Sequence, residues 1–194
     1  MFDLGPAADR LAALVQGVGD DQLALPTPCP GYTLGDLLDH VGGLAVAFAE
    51  AARKERGRNA APPPEGSATA LAADWRTRIP ADLTTLAGAW RTSGAWDGTT
   101  LIAGAEMPAE IVGRVAIEEL VVHGWDLARA SGQSFDADDA SIDASLEFLG
   151  PLAQPEMADA RAPAYGAVVE VAGDAPPLDR LLGLSGRDPS WSAT

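Results

Sequence analysis

Apolar residues recur every three or four positions through four long stretches of this chain, and that period commits most of it to amphipathic helices. The first stretch, residues 6–18, carries Leu11, Leu14 and Val15, with Pro6 suited to an opening turn. LALPTPCPGY, with three prolines, then interrupts as loop. Thr33 is placed to cap a second helix opening at Leu34, with Asp36 three residues on and Tyr32 set to pack against Leu37. That helix is expected to reach residue 56, burying Leu34, Leu37, Leu38, Val41, Leu44, Ala45 and Phe48. RGRNAAPPPEG follows as a polar connection expected to be mobile. A third helix over residues 68–90 carries Leu71, Trp75, Ile79, Leu83, Leu86 and Trp90, and Pro80 is expected to kink or divide it. TTLIAGAEM reads as an extended connection. Pro108 opens a fourth helix running to Ala130, with Ser131 and Gly132 as its stop.

A shorter helix is expected over residues 138–149, and beyond Pro155 a proline-rich tail holds a turn or two of helix over residues 178–184. Only residues 99–103 and 167–171 are rich in strand formers, too few for an α/β fold. The expected fold is all-α: a four-helix bundle with a short extra helix and a C-terminal tail. Its 194 residues suit one domain, with 1–150 as the bundle and 151–194 as an extension packed on it.

Thirteen Lys and Arg stand against 28 Asp and Glu, a net charge of −15 that argues against nucleic-acid or anionic-membrane partners. One cysteine excludes an internal disulfide framework. MFDLGPAADR lacks the basic leader and apolar run of a signal peptide, and no stretch reaches the roughly 18 apolar residues of a membrane span. A cytoplasmic location is the expectation. A single Lys, Lys54, among abundant Arg and Ala suggests a high-GC source such as the actinobacteria.

Both histidines lie on helical patterns. His40 shares a face with Leu37, Val41 and Leu44, and alone it reads as a hydrogen-bonded residue at the rim of the core. His123 follows Glu119 by four positions, one turn along the same face or roughly 6 Å along the axis. Carboxylate and imidazole then converge as a metal half-site, related to the logic of HExxH helices. Glu118, five positions before His123, is rotated off that face. Val112, Val115, Ala116 and Val122 share the face, so Glu119 meets the bundle interior, where an unpaired carboxylate is costly. A plain Glu119–His123 hydrogen bond is the competing reading.

With His40 added, two imidazoles and one carboxylate leave a metal position open, as in catalytic zinc sites and in non-haem iron triads. Spacing does not choose among zinc, nickel and iron. Asp126 and Asp36 are placed to hold the second ring nitrogens of His123 and His40, with an ordinary surface charge and a helix-start charge as the alternatives. Cys29 reads as a packed loop residue without an activating neighbour in sequence. Trp75, Trp90, Trp96, Trp125 and Trp191 mostly fall at core spacings, and Trp125 is also placed to line a pocket. No phosphate loop or G-x-S-x-G elbow is present.

PTPCPGYTLGDLLDHVGG resembles the second-helix signature of the mycothiol-dependent maleylpyruvate isomerase N-terminal domain family, within the DinB-like superfamily. EELVVHGWDLARASG resembles that family's metal-binding fourth helix, and GDAPPLDRLLGLSGRDP the closing signature of its short single-domain members. The resemblance implies an up-down-down-up bundle with one divalent metal, zinc before nickel or iron, on His40, Glu119 and His123. It also implies mycothiol as co-substrate, and a thiol S-transferase in which a metal-bound thiolate attacks an electrophilic small molecule. Water or a nearby carboxylate takes the thiol proton. Isomerisation is the case in which the thiol is later expelled, and the isomerases that name the family carry a further C-terminal domain. About 40 residues follow Pro155 here, so transfer rather than maleylpyruvate isomerisation is expected. The alternatives are a hydrolase using metal-activated water, a non-catalytic metal- or ligand-binding module, and a metal-free polar cluster. A homodimer is expected if a helix leaves an apolar face uncovered.

Overall fold

The proline-broken loop ends in a reciprocal cap. The Asp36 N–H donates to Thr33 Oγ1 at 3.3 Å, and the Thr33 N–H donates back to the Asp36 carboxylate at 2.9 Å. From this cap α2, Leu34–Ala52, begins. In the computed structural model, which describes residues 1–161 and 164–193, α2 is one of four long helices. The others are α1, Gly5–Gln16, α3, Trp75–Trp90, and α4, Ala109–Ser131. α1 and α2 each pack against both α3 and α4, so the four close a ring in which the two histidine-bearing helices are neighbours. Leu11, Leu37, Leu38, Leu83, Leu86 and Ile117 fill its centre. α4 stops at Gly132, whose φ of 73° is the left-handed conformation that ends helices.

The remaining elements pack outside the ring. Strands β1, Thr99–Ile102, and β2, Ala105–Pro108, form an antiparallel hairpin. Its two-residue turn is Ala103 and Gly104, at φ 52° and 85°, as a type I′ hairpin requires. α5, Asp139–Leu152, lies on α4 and carries α7, Pro177–Ser185; the short α6, Ala158–Arg161, lies between them in sequence. Leu149 and Leu181 are fully buried in the same apolar cluster as the bundle.

Where the structure departs from the apolar period, local hydrogen bonding is the reason. α3 begins at Trp75 instead of residue 68, because residues 67–72 are held in turns: the Ala70 N–H donates to Ser67 O and the Ala68 N–H to the Asp36 carboxylate. Pro80 lies in the second turn of α3 and does not divide it. α2 ends four residues short of the expected stop, where Lys54 turns left-handed at φ 60° and its ammonium donates to Ala95 O and Asp97 O. The connection expected to be mobile is fastened instead. Asn59 is buried and donates to Ala47 O at 2.8 Å, and the Gly66 N–H donates to the Tyr32 hydroxyl at 3.1 Å. The extended connection expected at TTLIAGAEM folds back on itself as the hairpin. Residues 167–171 form no strand, although the Val169 N–H donates to Gly183 O.

No helix among the described residues is long and apolar enough to cross a membrane. Among the described residues, Met1 and Val168 are the exposed large hydrophobic residues.

Gly66 brings the connection against the histidine-bearing turn of α2. A methyl group there would meet the Asp36 carbonyl oxygen and come within 2.9 Å of His40 Cβ. Gly66→Ala is therefore expected to lift this segment and cost about 1–3 kcal/mol in urea denaturation. An unchanged midpoint would contradict the packing.

Candidate metal centre

α2 and α4 meet along the faces that carry the histidines. The His40 and His123 rings lie edge to face, with centroids 5.0 Å apart and planes at 90°. One turn before His123 on α4, Glu119 Oε2 stands 2.9 Å from His123 Nε2. One donor atom from each of His40, Glu119 and His123 lies within 4.8 Å of the other two. Two imidazoles and a carboxylate at this separation suit zinc, nickel or ferrous iron, so the donor set fits the divalent ion that the sequence motifs imply.

The other side of His123 is equally determined. Nδ1 stands 3.0 Å from Asp126 Oδ2, three residues on and fully buried. Asp126 is gripped in turn by Arg187, whose Nη2 and Nε donate to Oδ2 and Oδ1 at 2.9 and 3.3 Å. Asp36 lies elsewhere: its carboxylate is occupied by Thr33 and the Ala68 N–H in the helix-start role. On His40 the further neighbour is the Tyr32 ring, with centroids 5.5 Å apart.

Charge follows from these contacts. Burial opposes a proton on His123, but hydrogen bonds to Asp126 and Glu119 outweigh it and push the group up to about 9. His40 falls to about 4, first through burial and then through repulsion by His123. The two rings thus differ in protonation at neutral pH. His40 is neutral with a free lone pair, and His123 keeps a hydrogen on each nitrogen between two carboxylates.

A second group, Cys29, His123 and Asp126, also brings donor atoms within 4.8 Å of one another. Its chemistry is poorer. Burial pushes the Cys29 thiol up to about 11, and both Asp126 oxygens are already committed to Arg187. Sequence spacing missed Arg187, 61 residues beyond Asp126. It also missed Tyr165, whose hydroxyl donates to Glu118 at 2.9 Å. Glu118 is not among the converging donor atoms but is buried, and burial followed by the charge of Glu119 pushes it up to about 8. Spacing carried no signal for either contact, since it sets Glu118 off the interior face and Asp126 only beside His123 or in solvent.

These shifts set opposite pH slopes in the chelator-treated protein. His123 is raised from about 6.5 unfolded to about 9 folded, so its stabilisation is complete below about 6.5 and disappears as pH rises through 9. His40, lowered to about 4, binds a proton only in the unfolded chain between 4 and 6.5, so stability is lost as pH falls through that window. Glu118, raised to about 8, adds to the alkaline loss between about 4.5 and 8. Urea denaturation across pH 4–10 is expected to show a shallower alkaline fall in His123→Ala and a shallower acid fall in His40→Ala. Parallel curves for wild type and both variants would contradict these assignments.

The profile of the mycothiol maleylpyruvate isomerase N-terminal domain family matches residues 4–128, a span holding His40, Glu119 and His123. Two Mycobacterium tuberculosis proteins are similar over nearly the whole chain: uncharacterized protein MT0763 (strain CDC 1551 / Oshkosh) and uncharacterized protein Rv0738 (strain ATCC 25618 / H37Rv). Each is 29% identical over 183 residues, covering 93% of both chains. The fold resembles the crystal structure of the mycothiol-dependent maleylpyruvate isomerase at a TM-score of 0.60 and 18% identity, over 82% of this chain and 70% of that one. A histidine-to-alanine mutant of that isomerase matches at 0.61, with the same identity and coverage. The all-α bundle and the sequence match over most of its length place this chain in the mycothiol maleylpyruvate isomerase N-terminal domain family.

Proposed function

We propose that this protein is a divalent-metal enzyme that transfers a low-molecular-weight thiol, mycothiol, to an electrophilic small molecule. The observation that carries the reading is the convergence of His40, Glu119 and His123 within one metal-sized volume between α2 and α4. The family and its solved relative support the thiol. The whole chain acts as one unit in this reading, with 1–150 holding the site and 151–194 packed on it.

His40, Glu119 and His123 would hold the ion, with zinc the first candidate. When bound, a divalent ion with an open position lowers the pKa of a thiol or water entering there. The protein's own groups prepare the place. His40 offers a neutral ring at physiological pH, and its burial keeps it so. Asp126 holds His123 by Nδ1, which leaves Nε2 as the ligating nitrogen. Glu119 supplies the single negative charge of the set, so the site stays net positive toward an incoming thiolate. In the transfer, the S–H bond breaks and a C–S bond forms as the electrophilic carbon gives up a π bond or a leaving group. The displaced electron pair stays on that neighbouring atom or leaving group, which takes up a proton equivalent to the one the thiol lost to water or a nearby carboxylate.

Ion binding by Nε2 must displace the proton that His123 holds there at neutral pH. Zinc uptake by chelator-treated protein is therefore expected to release protons and to tighten as pH rises toward 9. Isothermal titration in buffers of different ionisation enthalpy reads this directly. Protein purified without chelator is expected to carry about one equivalent of divalent metal, which His123→Ala and Glu119→Gln lose. On the cobalt-substituted protein, mycothiol is expected to bring in the intense near-ultraviolet charge-transfer absorption of thiolate ligation. Metal binding with no thiol-dependent spectrum would leave a metal-binding module. Absence of metal after reloading with zinc, nickel and ferrous iron would overturn the reading.

A further inference from the structure

The C-terminal segment delivers a buried arginine that the metal trio does not explain. Arg187 follows Gly186, the left-handed residue that ends α7 at φ 86° and turns the chain. Its guanidinium takes both oxygens of Asp126 with Nε and Nη2, while Nη1 donates to Ser185 O at 3.3 Å. Asp126 is fully buried and Arg187 is 7% exposed. A carboxylate held by one hydrogen bond can swivel about its terminal torsion, which is a broad well. A two-pronged guanidinium fixes the carboxylate plane. That plane sets the direction of the Asp126–His123 hydrogen bond, and with it the aim of Nε2 toward Glu119 and His40.

We propose that Arg187 is a positioning residue of the metal centre, acting through Asp126 to orient the His123 ring, so that the C-terminal segment completes a site whose ligands all lie on α2 and α4. This role rests on the metal reading above. A second buried arginine supplies the control: Arg161 donates to Gly166 O and Leu184 O at 2.7 and 2.8 Å, docking the same segment through backbone carbonyls instead of through Asp126.

The test is a double-substitution cycle read by zinc affinity, in competition with a chromophoric chelator, and by the visible spectrum of the cobalt form. Arg187→Met is expected to weaken zinc binding about tenfold or more and to shift the cobalt bands. In an Asp126→Asn background the same change is expected to have less than about a threefold effect, since the partner it acts through is already neutral. Arg161→Met is expected to lower the denaturation midpoint while leaving zinc affinity within about threefold. Should Arg187→Met fail to fold by stranding the Asp126 charge, Arg187→Lys keeps the charge but loses the fork, and it is expected to show the same loss of affinity. Unchanged affinity in the folded variants would overturn the role of Arg187 alone, as would equal losses in both Asp126 backgrounds or the same loss in Arg161→Met. A wild-type protein that takes up neither zinc nor cobalt would overturn the metal reading and this role with it.

Discussion

Asp126 places a negative charge where no water reaches it, toward the C-terminal end of a long helix packed on several sides. A buried charge is tolerated only when it is paired and hydrogen-bonded, and this requirement organises its surroundings. It draws Arg187 in from the end of the chain, and it holds His123 by one ring nitrogen. The other nitrogen then faces Glu119, one turn back, and the ring stands edge-on to His40 across the seam between α2 and α4. The buried arginine raises no contradiction, because its charge is matched by the carboxylate it grips, and the pair's charge further favours the protonated guanidinium after burial has opposed it.

Apolar residues surround this polar line. Trp125, Val122 and Leu127 on α4 are buried together with His123, so the site sits inside a packed wall and not on a loop. Side chains carried on rigid helices hold their mutual geometry better than side chains on loops, which matters for an ion needing three donors at once. The loop containing Cys29 and Tyr32 closes one side. It is tied down by the Thr27 hydroxyl, whose single hydrogen is shared between Cys29 O and Tyr32 O, at 3.0 and 2.9 Å from Oγ1.

Much of this was legible in the sequence, and the reason is periodicity. The i, i+4 spacing of Glu119 and His123 is a geometric statement, and the apolar neighbours of His40 indicated which way it faces. The cap at Thr33 and the stop at Gly132 came from side-chain chemistry that acts within three or four residues. What the sequence withheld was long-range. Nothing local tells that Arg187 reaches Asp126, that Tyr165 reaches Glu118, or that residues 67 and 68 hydrogen-bond to carboxylates on α2. The start of α3 was misjudged for the same reason: the apolar period continues through Leu71, but the backbone N–H of Ala68 is claimed by a carboxylate on another helix.

The central claim is that His40, Glu119 and His123 together hold one divalent ion, and the rival Cys29–His123–Asp126 group makes it sharply testable. X-ray absorption at the zinc edge of the reconstituted protein, recorded without added thiol, separates the two by ligand type. The account predicts a nitrogen and oxygen shell at about 2.0–2.2 Å with imidazole outer scattering and no sulfur. A sulfur scatterer at about 2.3 Å would place the ion on Cys29 and contradict the account.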